Sequence, residues 1–506
     1  MAEQANNKTI ARNTVFLYIR MMFTMIVSLY TSRLVLQVLG VEDYGLYQVL
    51  GGIVGFLSFI NSALSTGSSR FLTFELGTGN EEKLKRTFST TLTIHIIIAF
   101  LIVVLAETIG LWVLYNKLVI PADRMDAALY VFHFSVLTAI FSLTQIPYGA
   151  SIIAHEKMSV FAYMSIVEAS AKLLLVYLLE IGDVDKLKLY ATLIFVVQVS
   201  LMIFYRFYCV RHFRETIYRF VFDKSIFQSI AGFSGWSLFA NASIALNSEG
   251  ILLLLNLFFS PAIVAARAIS IQVNMAATQF VYNFRTAVNP QIVKKYAAGD
   301  VVGSKKLLLT STKYSYYLMF LLCFPIYLLA EPLLKLWLGV VPGYTVVFLQ
   351  LIVIQSLFQV FDASFYIALY AKGQLRENAL ISPTLGFLQF PVIYFMFKCG
   401  YSPIVLSWAG LVVYALLGLV IKPVLIVKIA NYKWSDIWHI FRSCLLVTIT
   451  ALPVPVLLNM QVNTDSIEGG GVIAVVTVSL TLLAIYLVGI DQRTRKKIIM
   501  YIKYKK

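Results

Sequence analysis

Arg267, Asn274, Thr278 and Arg285 recur at spacings of seven, four and seven inside a largely apolar stretch of the 506-residue chain. On an α-helix about eighteen residues complete five turns, so these four share one stripe with an arginine near each end. Gln272, Gln279 and Asn283 add to the polar content of the same stretch. Arg20 shares a second stripe with Thr24 and Thr31, and a polar run beginning at Asn61 and Ser62 ends at Arg70. A guanidinium is a planar fork of donors that matches phosphate or carboxylate oxygens. Arg20, Arg70, Arg267, Asn274, Thr278 and Arg285 are therefore the candidate binding residues for an anionic ligand. The competing account for Arg70, as for Arg33 and Lys172, is snorkelling or a local ion pair, such as Lys172 with Glu168 one turn away.

Carboxylates in apolar stretches are Glu107, Glu168, Glu249 and Asp362. Glu249 and Asp362 are the candidates for coupling to Na+ or H+, through oxygen ligation or protonation. The structural alternative pairs Glu249 with Arg267. Lone His95 and His133 are more often hydrogen-bonded packing residues than relays. No metal site, resident cofactor, nucleotide-binding loop or nucleophile triad is legible, so the chain does not read as an enzyme. Cys209, Cys323, Cys399 and Cys444 have no metal-ligand spacing and read as reduced structural residues.

The elements that must hold these groups are membrane helices. The chain is 59% hydrophobic and 13% charged, with a mean hydropathy of +0.81, against about 25% charged residues in ordinary soluble domains. Its apolar residues fall into runs of roughly 20 or more separated by short polar breaks, the length needed to cross hydrocarbon. We expect an all-α polytopic membrane protein with about 14 transmembrane helices. The first six run approximately Asn13–Leu39, Tyr44–Phe74, Phe88–Leu114, Ala127–Ala154, Met158–Ile181 and Leu189–Tyr208. Six more run Phe227–Phe259, Ala262–Val293, Tyr314–Trp337, Val346–Ala371, Asn378–Phe397 and Pro403–Val427, followed by Ile440–Leu458 and Val472–Ile490. The implied domains are a six-helix lobe over 1–208, a basic linker over 209–226, a second six-helix lobe over 227–428, and two further helices with a basic tail over 429–506.

The net charge of +16 is distributed unevenly. With an even number of spans, about 27 Lys and Arg fall on one side, Lys83, Arg211, Lys294 and Lys422 among them, and about 6 on the other, including Lys117, Arg124, Lys186 and Lys188. Both termini are therefore expected in the cytoplasm. Topology, with anionic-lipid contact second, explains the basic excess better than nucleic-acid binding. A shift of 220 positions superposes Gly79-Asn80 on Gly299-Asp300 and Lys85-Arg86 on Lys305-Lys306. Each set has an even number of spans, so the two sets are parallel repeats, an arrangement in which transporters commonly bind cargo between halves.

The stretch Leu39-Gly40-Val41-Glu42-Asp43-Tyr44-Gly45-Leu46-Tyr47, with Gly51-Gly52 and Arg70-Phe71 after it, resembles the first hairpin of Wzx-type polysaccharide biosynthesis proteins. These are lipid-linked oligosaccharide flippases of the multidrug/oligosaccharidyl-lipid/polysaccharide exporter (MOP) superfamily. The resemblance implies a V-shaped pair of lobes in a bacterial inner membrane, alternating access, and a polyprenyl-pyrophosphate-linked glycan as cargo. Membrane lipids, and polysaccharide polymerase machinery, are the implied partners. The rival reading is a cation-coupled multidrug exporter of the same superfamily; such exporters typically keep a carboxylate in the first span, where this chain has arginines. A glycan polymerase or ligase would need a long extracytoplasmic loop, and the longest here are Tyr115–Asp126 and Met460–Gly469. A scaffold without transport would not require a stripe with an arginine at both ends.

Overall fold

A computed structural model describes residues 2–491 and 495, except 57, 156, 182, 183, 222, 375 and 465; side chains of 2–20, of parts of 54–70 and 229–240, and of 158, 287, 290, 376 and 467 are not described. The first half contains α1 (Ala2–Phe56), α2 (Ser58–Thr78), α3 (Glu81–Leu105), α4 (Leu111–Asn116), α5 (Met125–Ala154), α6 (Met158–Leu178), α7 (Lys186–His212), α8 (Lys224–Ala245) and α9 (Ile251–Phe258). Next come α10 (Pro261–Ala297), α11 (Val301–Leu328), α12 (Ala330–Leu338), α13 (Thr345–Lys372), α14 (Arg376–Lys398), α15 (Val405–Leu416), α16 (Lys422–Ala430), α17 (Trp434–Ala451), α18 (Pro453–Gln461) and α19 (Ile467–Ala484). Wide π-turns join α3 to α4 at Ala106–Gly110, α8 to α9 at Leu246–Gly250, and α15 to α16 at Leu417–Ile421. No strand occurs among the described residues.

Among the described residues, twelve helices are long and apolar enough to cross a membrane, so this is a multi-pass membrane protein. Two expected spans are not separate members of that set. Tyr44–Phe74 is covered by the end of α1, beyond a break at Gly40 (φ 78°, ψ 171°), together with α2. Ala262–Val293 lies within α10, whose 37 residues are ample in length; its polar stripe lowers its hydropathy.

The expected repeat has a physical counterpart in the helix caps. Gly79 and Gly299 both take the left-handed backbone (φ 72° and 82°) that glycine adopts without strain. Asn80 then accepts from the Lys83 amide and Asp300 from the Gly303 amide, capping α3 and α11 in the same way.

The helices divide into two compact units, residues 1–268 and 269–506. The expected boundary is instead the linker over 209–226. In the first unit, however, α8 packs along α2, and the linker is fastened to α3. The core of this unit includes the fully buried Leu46, Leu50, Phe88, Leu114 and Phe132. Gly45 approaches Pro261 so closely that an added Cβ would lie 2.0 Å from its carbonyl oxygen. Arg124, at the start of α5, bonds Asp43 at 2.5 Å and Asp185 at 2.8 Å, tying three helix connections together. Asp185 also caps α7 through the Leu187 and Lys188 amides. Burial pushes the Asp185 carboxyl up, but the Arg124 hydrogen bond and the two capping amides outweigh it and hold it below the usual aspartate value.

In the second unit α13 packs against α11, α15 and α16. Phe361 lies edge-on to Phe441 of α17 at 5.0 Å. The last two expected spans join this unit through α11: Tyr316 bonds Thr448 and Tyr317 bonds Ser443, both at 2.9 Å.

Candidate functional site

The chemistry of the second unit centres on α13. From α10, the Arg285 Nη2 donates to the carbonyl of Ala363, while its buried Nε has no hydrogen-bond partner. From α16, Lys422 forms an ion pair with Asp362 at 3.1 Å, donates to Asn378 Oδ1 of α14, and lies 5.5 Å from the ring centre of Tyr366. Lys422 is almost fully buried, with 2% of its surface exposed. The Asp362 Oδ1 makes the ion pair without hydrogen-bond alignment, which leaves acceptor capacity on the carboxylate. The bond to Ala363 also places Arg285 beside Asp362, the preceding residue of α13. Two cations thus stand beside one carboxylate, and the cluster carries a surplus positive charge in a medium where an unbalanced charge costs several kcal/mol. Such a cluster can receive an anion.

Two residues of the α10 stripe, Asn274 and Arg285, meet α13. Asn274 accepts from Ser356 at 2.8 Å, and both residues are buried. Arg285 reaches α13 two turns further along. Thr278 donates to the Met275 carbonyl of its own helix. Arg267 is buried and has further interactions. Arg20 and Arg70 lie outside the residues whose side chains are described.

Glu249 and Asp362 fall in different units. Glu249 stands in the π-turn Leu246–Gly250, beside α1. A Cβ added to Gly55 would lie 3.5 Å from its carboxylate, and one added to Gly52 would lie 3.8 Å away. Small residues there make room for the acid. Among the described residues Glu249 has no ion pair, so the alternative of pairing with Arg267 does not appear. Gly51 and Gly55 also line a cavity of about 330 Å³ with Tyr47, Ser135, Thr138 and Ser142.

Glu107 occupies the π-turn Ala106–Gly110 and pairs with His133 at 3.4 Å. Lys172 pairs with Glu168 at 2.7 Å, as its spacing suggests. His95 is fully buried and bonded to Ser68 through Nε2, while its Nδ1 has no hydrogen-bond partner among the described residues. Sequence reasoning misses Lys422, Asn378 and Tyr366 as parts of a site. Lys422 counts there with the cytoplasmic loops, although it lies inside the expected span Pro403–Val427. Its place directly after the π-turn Leu417–Ile421 agrees with the tendency of such bulges to mark functional positions.

No protein-family model and no curated protein matches the sequence. Solved structures do match its fold. "Lipid II flippase MurJ, inward closed conformation" aligns with a TM-score of 0.72 and 12% identity, covering 93% of this chain and 97% of that one. An inward-facing multidrug resistance MATE family transporter of the MOP superfamily gives 0.65 and 15%, covering 82% and 99%. An outward-facing multidrug resistance MATE family transporter of the same superfamily gives 0.56 and 13%, covering 83% and 96%. At these identities the likeness establishes the fold alone, one that this chain shares with these transporters.

Proposed function

We propose that the protein is a flippase that moves a polyprenyl-pyrophosphate-linked oligosaccharide across a bacterial inner membrane by alternating access, with both termini cytoplasmic. The observation that carries this reading is the surplus positive charge at Arg285, Lys422 and Asp362. A pyrophosphate brings the counter-charge that the cluster lacks, and the guanidinium fork suits its oxygens. The fold likeness to a lipid II flippase supports the class of cargo. Na+ or H+ coupling, and delivery to a polysaccharide polymerase, belong to the same reading.

The deciding experiment is depletion of the protein followed by analysis of lipid-linked intermediates. A polyprenyl-pyrophosphate oligosaccharide should accumulate on the cytoplasmic face while surface glycan disappears. Unchanged lipid-linked pools would end this reading. A second reading, a cation-coupled multidrug exporter, is favoured by one observation, the half-buried carboxylate of Glu249 without an ion pair beside Gly52 and Gly55. Under it, depletion changes drug sensitivity and leaves glycan delivery intact.

A further inference from the structure

The segment between α7 and α8 is not a free tether. Phe213 is buried and stacks on His155 with ring centres 4.0 Å apart, and His155 Nε2 meets the carboxylate of buried Glu215 at 2.5 Å. Tyr218 bonds Thr93 at 3.1 Å, and the Arg219 amide donates to Ser89 at 3.4 Å. Thr90 links to both the Val221 carbonyl and the Asp223 amide. The strap is therefore fixed along α3, close to where the third expected span begins at Phe88.

This fastening sorts the side chains by chemistry. Of the two acids in the segment, Glu215 is turned inward, and Asp223 caps α8 through the Ser225 and Ile226 amides. Among the described residues, the face left outward carries the cations Arg211, Arg214, Arg219 and Lys224 and the apolar Ile217 and Phe220, the last 80% exposed. Phe207 and Val210, at the end of α7, extend the apolar surface. Exposed aromatic and aliphatic groups interleaved with arginine, with no outward acid, match the boundary between headgroups and acyl chains of a negatively charged leaflet.

We infer that the outward face formed by Arg211, Arg214, Ile217, Arg219, Phe220 and Lys224 is a binding surface for anionic phospholipid in the leaflet on the basic-loop side. Phe220 and Ile217 enter the acyl boundary, and Arg214 and Arg219 meet the lipid phosphates. The surface belongs to the first unit and the cluster at Lys422 to the second, and the inference does not depend on the cargo.

The test uses the full chain in lipid nanodiscs, with Phe220→Cys carrying an environment-sensitive fluorophore. Cys399→Ser removes the exposed native cysteine; the other three are buried. Headgroup-level spin-labelled phosphatidylglycerol and phosphatidylcholine are compared as quenchers at equal mole fraction. Emission should be blue-shifted, and the anionic lipid should quench about fivefold better. Arg214→Gln with Arg219→Gln should equalise the two quenchers and keep the blue shift. Water-like emission untouched by either lipid, as for a strap that faces the aqueous phase or a protein partner, overturns the inference. So does equal quenching in the parent protein. All altered side chains are exposed, so the variants keep the fold and every outcome is readable.

Discussion

Lys422 and Asp362 form an ion pair across α16 and α13, and Arg285 from α10 donates to the carbonyl of Ala363, the residue next to Asp362. The triad is asymmetric: without Lys422 one cation still balances Asp362, whereas without Asp362 two cations stand unopposed. Asp362→Asn should therefore cost about 3–5 kcal/mol, the usual penalty for stranding a buried charge. Lys422→Met should cost markedly less, and the double variant should recover most of the Asp362→Asn loss. Thermal unfolding in detergent reads this order directly. A greater loss for Lys422→Met than for Asp362→Asn would show that Arg285 does not compensate the carboxylate.

Arg285 also tests the charge of the cargo. Each charge-assisted hydrogen bond it gives a phosphate is worth about 1.5–3 kcal/mol, so Arg285→Ala should lower glycan delivery by about tenfold or more. Arg285→Lys keeps the charge without the fork and should restore delivery only in part. Glycan at the cell surface, measured at matched protein levels, gives the answer. Normal delivery by Arg285→Ala would remove this residue from cargo recognition.

Glu249 makes a separate prediction, because it has room and, among the described residues, no ion-pair partner. If it binds or releases the coupling ion, Glu249→Gln should abolish the dependence of transport on sodium or pH. Gly55→Leu, which crowds the carboxylate, should weaken that dependence without touching the charge. Parent-like sodium and pH profiles in both variants would assign Glu249 a structural role.

Local chemistry explains which parts of this molecule can be read from residues alone. Asn80 and Asp300 cap helices through amides three residues away, and Glu168 meets Lys172 within one turn, so short-range spacing suffices. The α10 stripe is legible for the same reason. What stands opposite it is not, since helical periodicity says which residues share a side and nothing of the neighbour. Ser356 lies 82 positions from Asn274. Lys422 is misplaced through a related gap, because a lysine near a helix end looks the same whether it snorkels or turns inward to a carboxylate about 60 positions earlier. The strap after α7 reads from the sequence only as a basic linker because its anchors on α3 lie about 130 residues upstream.

Arg124 provides a prediction about acid. The Asp185 carboxyl is held below its ordinary value of 3.8, so its stabilising share is fully present above that pH and is lost as pH falls through the lower folded value. Arg124→Gln removes the main cause of the depression. The variant should melt earlier than the parent at neutral pH, and the gap should narrow as pH falls below about 4. A gap that stays constant down to about pH 3 would show that the Asp43–Arg124–Asp185 knot owes its worth to packing.

The π-turns have a consequence for how the chain tolerates length changes. Each wide turn holds one residue more than an α-helical path needs, so the residues before and after it are out of phase by about 100°. Deleting one residue within Leu246–Gly250 would bring α8 and α9 into phase as a regular helix, and would rotate Leu252, Leu254 and Leu255 away from the core they now fill. A one-residue deletion at Leu417–Ile421 would likewise swing Lys422 by more than a quarter turn from Asp362. Single-residue deletions, usually harmless in loops, should be as damaging at these two points as the loss of a buried charge partner.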